Sequence, residues 1–117
     1  MQTPQHVLFV CEGNQQRSPT AEMMYRDVTH LQVRSAGFSP SARTQIEETL
    51  LEWADIVFVM DRRVERHITL RFPELLELKQ LERLDIPDDY DYLAPQLIAV
   101  LTEKLTPFLG PPAMGAD

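Results

Sequence analysis

Four short apolar runs alternate with helix-patterned stretches, and this alternation constrains the fold more than any other feature. Residues 6–10 read HVLFV, 32–36 read QVRSA, 55–60 read DIVFVM and 81–86 read LERLDI. The first and third are continuous and rich in β-branched or aromatic residues, as strands buried on both faces require. Between the runs, apolar residues recur at helical spacing. Ala21, Met24, Tyr25 and Val28 share one face of a helix predicted over 19–28, with Ser18 as its cap and Pro19 in its first turn. Thr44 and Glu47 have capping-box spacing, next to a face formed by Ile46, Leu50, Trp53 and Ala54. Asp61 can cap a third helix running to Phe72, where Pro73 stops it, with one further helical turn over 75–78. Leu97, Ile98, Leu101, Leu105 and Phe108 mark a last helix.

Such alternation predicts an α/β fold, a three-layer sandwich with a parallel sheet between two layers of helices and right-handed crossovers. A chain of 117 residues suits one domain. We place it at residues 1–109 and expect the Pro-, Gly- and Ala-rich stretch 110–117 to be a flexible tail. In sheets of this kind, ligands bind beyond the carboxyl ends of the strands. At that end of the first run stands Cys11.

Cys11 is the only cysteine, which excludes an intramolecular disulfide. Three scattered histidines (His6, His30 and His67) complete no Cys/His metal cluster, and none has a partner at triad spacing. The segment CEGNQQRS, residues 11–18, must carry the chain from a strand into a helix. Gly13 and Asn14 are residue types that tolerate positive φ, so the loop can curl there. Curling points successive backbone N–H groups inward and forms an anion nest at the positive end of the helix dipole. Glu12, Gly13, Asn14, Gln15 and Gln16 would line this nest with Ser18, whose hydroxyl could also donate to the sulfur, and Arg17 would close the loop with a planar fork for two oxygens of a tetrahedral anion. A thiol among such donors is readily ionised, and its thiolate is the nucleophile. A thiolate facing a phosphate cradle describes covalent phosphoryl transfer through sulfur.

The net charge of −7 and a pI near 4.9 argue against nucleic acid or an anionic membrane as main partner. No signal peptide or transmembrane run is visible, so a cytoplasmic location is expected.

VLFVCEGNQQRSPTAE, residues 7–22, resembles the low-molecular-weight protein tyrosine phosphatases, whose signature runs Cys-x-Gly-Asn-x-x-Arg-Ser-Pro. The resemblance continues in RSAG, residues 34–37, and ADIVFVMDRR, residues 54–63. It implies a four-stranded parallel sheet of order 2-1-3-4, with Cys11 as nucleophile, Arg17 on the phosphoryl group, Asn14 shaping the loop and Ser18 stabilising the thiolate. It implies no metal or cofactor. The substrate would be a phosphorylated protein or a small aryl phosphate, with phosphate, sulfate or vanadate as site ligands.

The resemblance also implies an aspartate as general acid after the last strand, where this chain reads LDIPDDYDY, residues 84–92. Asp88 is preferred because Ile86-Pro87-Asp88, with Tyr90 two residues on, resembles an Ile-Pro-Asp-Pro-Tyr variant. Asp85, at the end of the predicted strand, is the competitor. Asp89 and Asp91 read as a solvated turn.

Three departures stand out. Glu12 replaces an apolar residue and repels a dianionic phosphate, the stretch 37–46 is short, and Gln16 stands where many relatives have a second, protective cysteine. Tyr90 and Tyr92 are the remaining candidates for stacking on an aryl ring. Arg62, Arg63, Arg66 and Arg71 read as a solvated helix face, with a patch for acidic substrates as the alternative, and Trp53 reads as packing.

The expected function is hydrolysis of phosphotyrosine or aryl phosphate monoesters through a phosphocysteine. The alternatives are a catalytically weak phosphate-binding regulatory module, an arsenate reductase-like protein, which a lone cysteine disfavours, or a cysteine phosphocarrier.

Overall fold

Val7, Leu8, Phe9 and Val10 are all fully buried, and their side chains alternate between two separate cores. A strand turns successive residues to opposite faces, so an unbroken apolar run is what two covered faces demand. The computed structural model describes residues 4–113. In chain order the elements are β1 (Gln5–Cys11), α1 (Arg17–Tyr25), β2 (Leu31–Gly37), α2 (Glu48–Trp53), β3 (Ile56–Val59), α3 (Arg62–Arg71), α4 (Pro73–Glu77), β4 (Gln80–Arg83) and α5 (Pro95–Leu109).

The four strands form one parallel sheet in the order β2-β1-β3-β4. Val7, Phe9 and Cys11 face Met24 and Tyr25 of α1 and Leu97, Leu101 and Leu105 of α5. Leu8 and Val10 face Leu51 of α2, Val64 and Ile68 of α3, and Leu76 of α4. Phe9 stacks on Phe58 with ring centroids 5.7 Å apart. Cys11 is thus the last inward residue on the α1/α5 side of β1, and it aligns with Gly37 at the end of β2.

The expected sandwich and strand order are found, with local differences that have physical causes. The last predicted strand ends at Arg83 rather than at residue 86 because Asp85 takes φ 56°. Backbone pairing nevertheless resumes around it, with Leu84 N–H donating to Val59 and Ile86 N–H to Met60. α1 begins at Arg17, with Gln16 at its cap position, so Ser18 is not the cap but lies inside the first turn. Thr44 does not cap α2 either, which starts only at Glu48. Pro73 stops α3 as expected and sits at the head of α4. Asp61 is the cap of α3, accepting the Val64 N–H at 2.9 Å.

The expected tail lies partly outside the described residues, at 114–117. Within them, the Gly110 carbonyl accepts the Tyr25 hydroxyl at 2.9 Å, and the Ala113 N–H donates to Met24 at 3.1 Å. Among the described residues no helix is long and apolar enough to cross a membrane.

Candidate active site

The site lies where β1 ends, between its neighbours β2 and β3, at the point from which strand order runs both ways. Cys11 is 3% exposed. Its Sγ accepts the Asn14 N–H at 3.1 Å and lies 2.9 Å from the Ser18 hydroxyl. The Asn14 N–H is one donor to the sulfur and the Ser18 hydroxyl can be a second, as a buried thiolate requires. They converge on the sulfur because the loop closes back on itself, with Asn14 at φ 52°.

Asn14 is held from three sides. Its Nδ2 donates to Ser18 Oγ and to Ser35 Oγ, both at 2.9 Å, while its Oδ1 accepts the Thr44 N–H at 3.1 Å. Ser35 in turn donates to Glu22. A left-handed non-glycine conformation is costly, and it persists where surrounding contacts over-determine it. The end of β2 also has to come close. A Cβ at Gly37 would fall 2.6 Å from the Glu12 carbonyl oxygen and 2.9 Å from the Asn14 nitrogen, both backbone atoms. Gly37 is therefore what lets β2 press against the loop.

Arg17 is 1% exposed. Its Nη1 donates to Asp61 Oδ2 and to the Ile86 carbonyl, each at 2.7 Å. Its Nε is the one buried side-chain nitrogen or oxygen among the described residues with no hydrogen-bond partner. Asp88 Oδ1 stands 3.6 Å from that Nε, an attraction of charge at a distance too long for a hydrogen bond. Burial alone would push the Asp61 carboxyl up. The Arg17 hydrogen bond and charge, with N–H donors at the head of α3, outweigh it and hold Asp61 below its ordinary range.

The acidic segment is fastened at both ends. Arg17 grips the Ile86 carbonyl, and the Leu93 N–H donates to Thr20 Oγ1 at 3.0 Å. Asp88 sits two residues past the first anchor and is 54% exposed. Asp85 instead pairs with Arg83 Nε at 2.7 Å and lines a cavity against α5 with Lys104 and Phe108. Asp89 and Asp91 are exposed. Tyr90 is half-buried and packs against the α1/α5 core. Tyr92 is exposed and lines a cavity of about 330 Å³ with Asn14, Glu22, Ser35 and Arg43.

Glu12 pairs with Arg63 Nη1 at 3.4 Å. Gln15 is exposed and Gln16 half-buried, while the Gln16 carbonyl accepts the Thr20 N–H and hydroxyl. Trp53 lies at the other end of β1, stacked on His6 and covered by the Arg34 guanidinium.

The sequence pattern points to Asp61 and Thr44 only as helix caps, and assigns no site role to Ser35 or Glu22. Asp61 is both cap and anchor for Arg17. The signal for Ser35 lies in the expected strand order, which sets the end of the second strand beside the loop.

Among the described residues, no group of three or more His, Cys, Asp or Glu could hold a metal ion. The arrangement combines a buried sulfur with an N–H donor and a hydroxyl against it, a guanidinium fixed on one side, and an aspartate near its other side. It suits attack on a tetrahedral oxyanion whose leaving group faces Asp88.

The family model described as low molecular weight phosphotyrosine protein phosphatase matches residues 6–44, the stretch from β1 through the end of the site's β2 loop. No curated protein matches the chain significantly. Three solved structures illustrate the likeness in fold. The low molecular weight protein tyrosine phosphatase from T. tengcongensis is 22% identical with a TM-score of 0.66, covering 85% of this chain and 91% of its own. Vibrio vulnificus Wzb in complex with benzylphosphonate is 21% identical with a TM-score of 0.65, covering 82% and 88%. The YwlE arginine phosphatase from Geobacillus stearothermophilus is 24% identical with a TM-score of 0.63, covering 89% and 94%.

Proposed function

We propose that this chain is a short, divergent member of the low molecular weight phosphotyrosine protein phosphatases, hydrolysing aryl phosphate monoesters through a phosphocysteine. The observation that carries this reading is the buried Cys11 sulfur, hydrogen-bonded by Asn14 and Ser18, in a loop that ends on a guanidinium with a partnerless Nε. An oxyanion in the nest would give that N–H its acceptor. Cys11 Sγ attacks phosphorus, and the bond from phosphorus to the ester oxygen breaks. Asp88 gives its proton to the departing oxygen. Water then attacks the same phosphorus, the S–P bond breaks, and Asp88 takes a proton from the water. Arg17 bears the charge that develops on the equatorial oxygens. Asp61 keeps Arg17 aimed and is not itself required to react.

For the general acid the geometry favours Asp88, which faces Arg17, over Asp85, which is engaged by Arg83 on the α5 side. Of the two tyrosines, Tyr92 is exposed, while Tyr90 is partly committed to the core. A thiol nucleophile without a protective second cysteine suits a reducing, cytoplasmic setting. The test is hydrolysis of p-nitrophenyl phosphate in the presence of a chelator. Turnover blocked by vanadate, absent in Cys11→Ser and passing through a rapidly hydrolysed phosphocysteine supports the reading. No turnover and no vanadate binding rejects it, and a phosphocysteine that persists assigns a carrier instead.

A second reading is favoured by Glu12. A carboxylate beside the nest suits a cationic leaving group better than an aryl ring, and one relative in fold is an arginine phosphatase. Phosphoarginine and phosphotyrosine peptides of the same sequence, compared by kcat/KM, separate the two.

A further inference from the structure

An acidic protein has collected positive charge in one place, and that place adjoins the site. The chain carries a net charge of −7, yet α3 alone contains Arg62, Arg63, Arg66 and Arg71. Two cavities, about 570 Å³ and 240 Å³, run along this helix and share Phe38, Arg63 and His67. The larger includes Glu12 and Arg71, and the smaller includes Arg66. Glu12 follows Cys11 directly, so the groove borders the nest through Glu12.

Its floor is rigid. Phe38 and His67 stack with centroids 4.0 Å apart, on a segment tied to the loop by the Ser39 N–H, which donates to the Glu12 carbonyl at 2.9 Å. Its rim is cationic. Glu12 takes up the charge of Arg63 at 3.4 Å, but among the described residues neither Arg66 nor Arg71 has a carboxylate within ion-pair distance. Arg71 does border Glu48 and Glu74 in a neighbouring cavity, which leaves Arg66 as the cleaner probe. Exposed guanidiniums along a shallow aromatic floor suit an extended chain bearing carboxylates.

We propose that this groove is a specificity subsite that receives an acidic segment flanking the phosphorylated residue of a protein substrate. The proposal rests on the phosphatase reading above for its connection to catalysis, but the binding of an acidic peptide can be measured without turnover. A substrate chain leaving the nest over Glu12 would pass between Phe38 and α3, placing Asp or Glu side chains against Arg66 and Arg71.

The experiment compares two fluorescent peptides centred on a non-hydrolysable phosphonate analogue of phosphotyrosine, one flanked by Asp and Glu and one by Ser and Gly. Each is titrated by anisotropy against wild type, Arg66→Gln and Arg66→Glu/Arg71→Glu, with p-nitrophenyl phosphate turnover in parallel. Wild type is expected to bind the acidic peptide about fivefold more tightly, the worth of roughly two exposed ion pairs. Raising salt should erase the preference, the double variant should reverse it, and turnover of the small ester should stay unchanged in both variants. Equal affinity for the two peptides, or a preference that survives in the double variant, overturns the proposal. So does a wild-type dimer that Arg66→Glu/Arg71→Glu dissolves, since the groove would then belong to a second copy of the chain. If turnover is absent in wild type while the charge-dependent preference holds, the phosphatase reading fails and the subsite stands.

Discussion

Arg17 and Asp61 lie 2.7 Å apart, joined across 44 residues of sequence, and the same carboxylate caps α3 through its other oxygen. One side chain therefore fixes both the direction of the guanidinium and the start of a helix. Asparagine in its place keeps one acceptor oxygen for two donors, the Arg17 guanidinium and the Val64 N–H, and carries no charge. For Asp61→Asn we expect a stability loss on the order of 2–4 kcal/mol, since a buried charge has lost its hydrogen-bonded counterion and keeps only the more exposed Asp88 at 3.6 Å. We expect kcat/KM on p-nitrophenyl phosphate to fall about 10- to 100-fold, because a misaimed guanidinium no longer matches the oxyanion. Urea melts and steady-state kinetics on the same preparation check both. A variant that folds and turns over like wild type would remove Asp61 from the account.

The same pair sets a pH dependence. Asp61 is held below its unfolded value near 3.8. A group with a depressed folded pKa contributes stability that is complete above the unfolded value and is lost as pH falls through the folded one. Its contribution should thus be intact at pH 6 and decline only below about pH 4. Thermal melts from pH 6 to pH 3 should show a shallower acid decline for Asp61→Asn than for wild type. Parallel declines would mean that Arg17 does not perturb this carboxyl in the native state.

Gly37 offers a steric test of the loop. A methyl group there meets two backbone atoms of the nest at 2.6 and 2.9 Å, and neither can rotate aside. Gly37→Ala should cost about 1–3 kcal/mol, as overpacking in a fixed setting does. It should also weaken vanadate binding well beyond that of a control such as Ala113→Gly, because the displaced atoms belong to Glu12 and Asn14. Calorimetric vanadate titration reads this directly. Unchanged affinity in a folded Gly37→Ala protein would show that the loop does not depend on the approach of β2.

Much of this architecture is legible in the amino-acid sequence. The run at residues 6–10 announces a strand buried on both faces because its apolar residues do not alternate with polar ones, and the Cys11 to Arg17 spacing announces the nest. What escapes has non-local causes. Ser18 carries every mark of a cap, yet its hydroxyl is claimed by Cys11 and Asn14, and the helix starts one residue before it. Local propensity cannot reveal a competing partner brought in by the loop's own closure. Asp85 reads as strand, but its left-handed backbone ends β4, and it pairs with Arg83. Asp61 reads as a cap, and is one. Its second task requires Arg17 to arrive from the far side of β1.

The two candidate acids can be told apart by leaving-group dependence. Asp88 faces Arg17, whereas Asp85 is bound to Arg83 at 2.7 Å beside α5. Loss of a general acid matters most when the leaving oxygen is basic, and costs about 10²–10⁴ there. Asp88→Asn should therefore lower kcat/KM, which reports the step that expels the leaving group, by about that range on phenyl phosphate and by less on p-nitrophenyl phosphate, whose leaving group needs less help. Asp85→Asn should leave both rates within a few-fold of wild type. The reverse pattern would transfer the acid to Asp85 and require the 84–92 segment to rearrange around substrate.

Glu12 sets the last expectation. Its charge stands next to the nest, but Arg63 pairs with it at 3.4 Å. Because Arg63 is 75% exposed and Glu12 36% exposed, the pair is a weak one, worth about 0–1 kcal/mol in water and screened by salt. What Arg63 does here concerns the anion more than the fold, since it balances a carboxylate that would otherwise repel a dianion. Arg63→Ala should therefore weaken vanadate binding by about two- to fivefold, with no measurable loss of stability. Glu12→Gln should strengthen it by a similar factor, and the double variant should lie close to Glu12→Gln because Arg63 then has no charge to balance. That ordering separates neutralisation of Glu12 from direct contact between Arg63 and the anion. In the latter case Arg63→Ala would weaken binding to the same extent with or without Glu12.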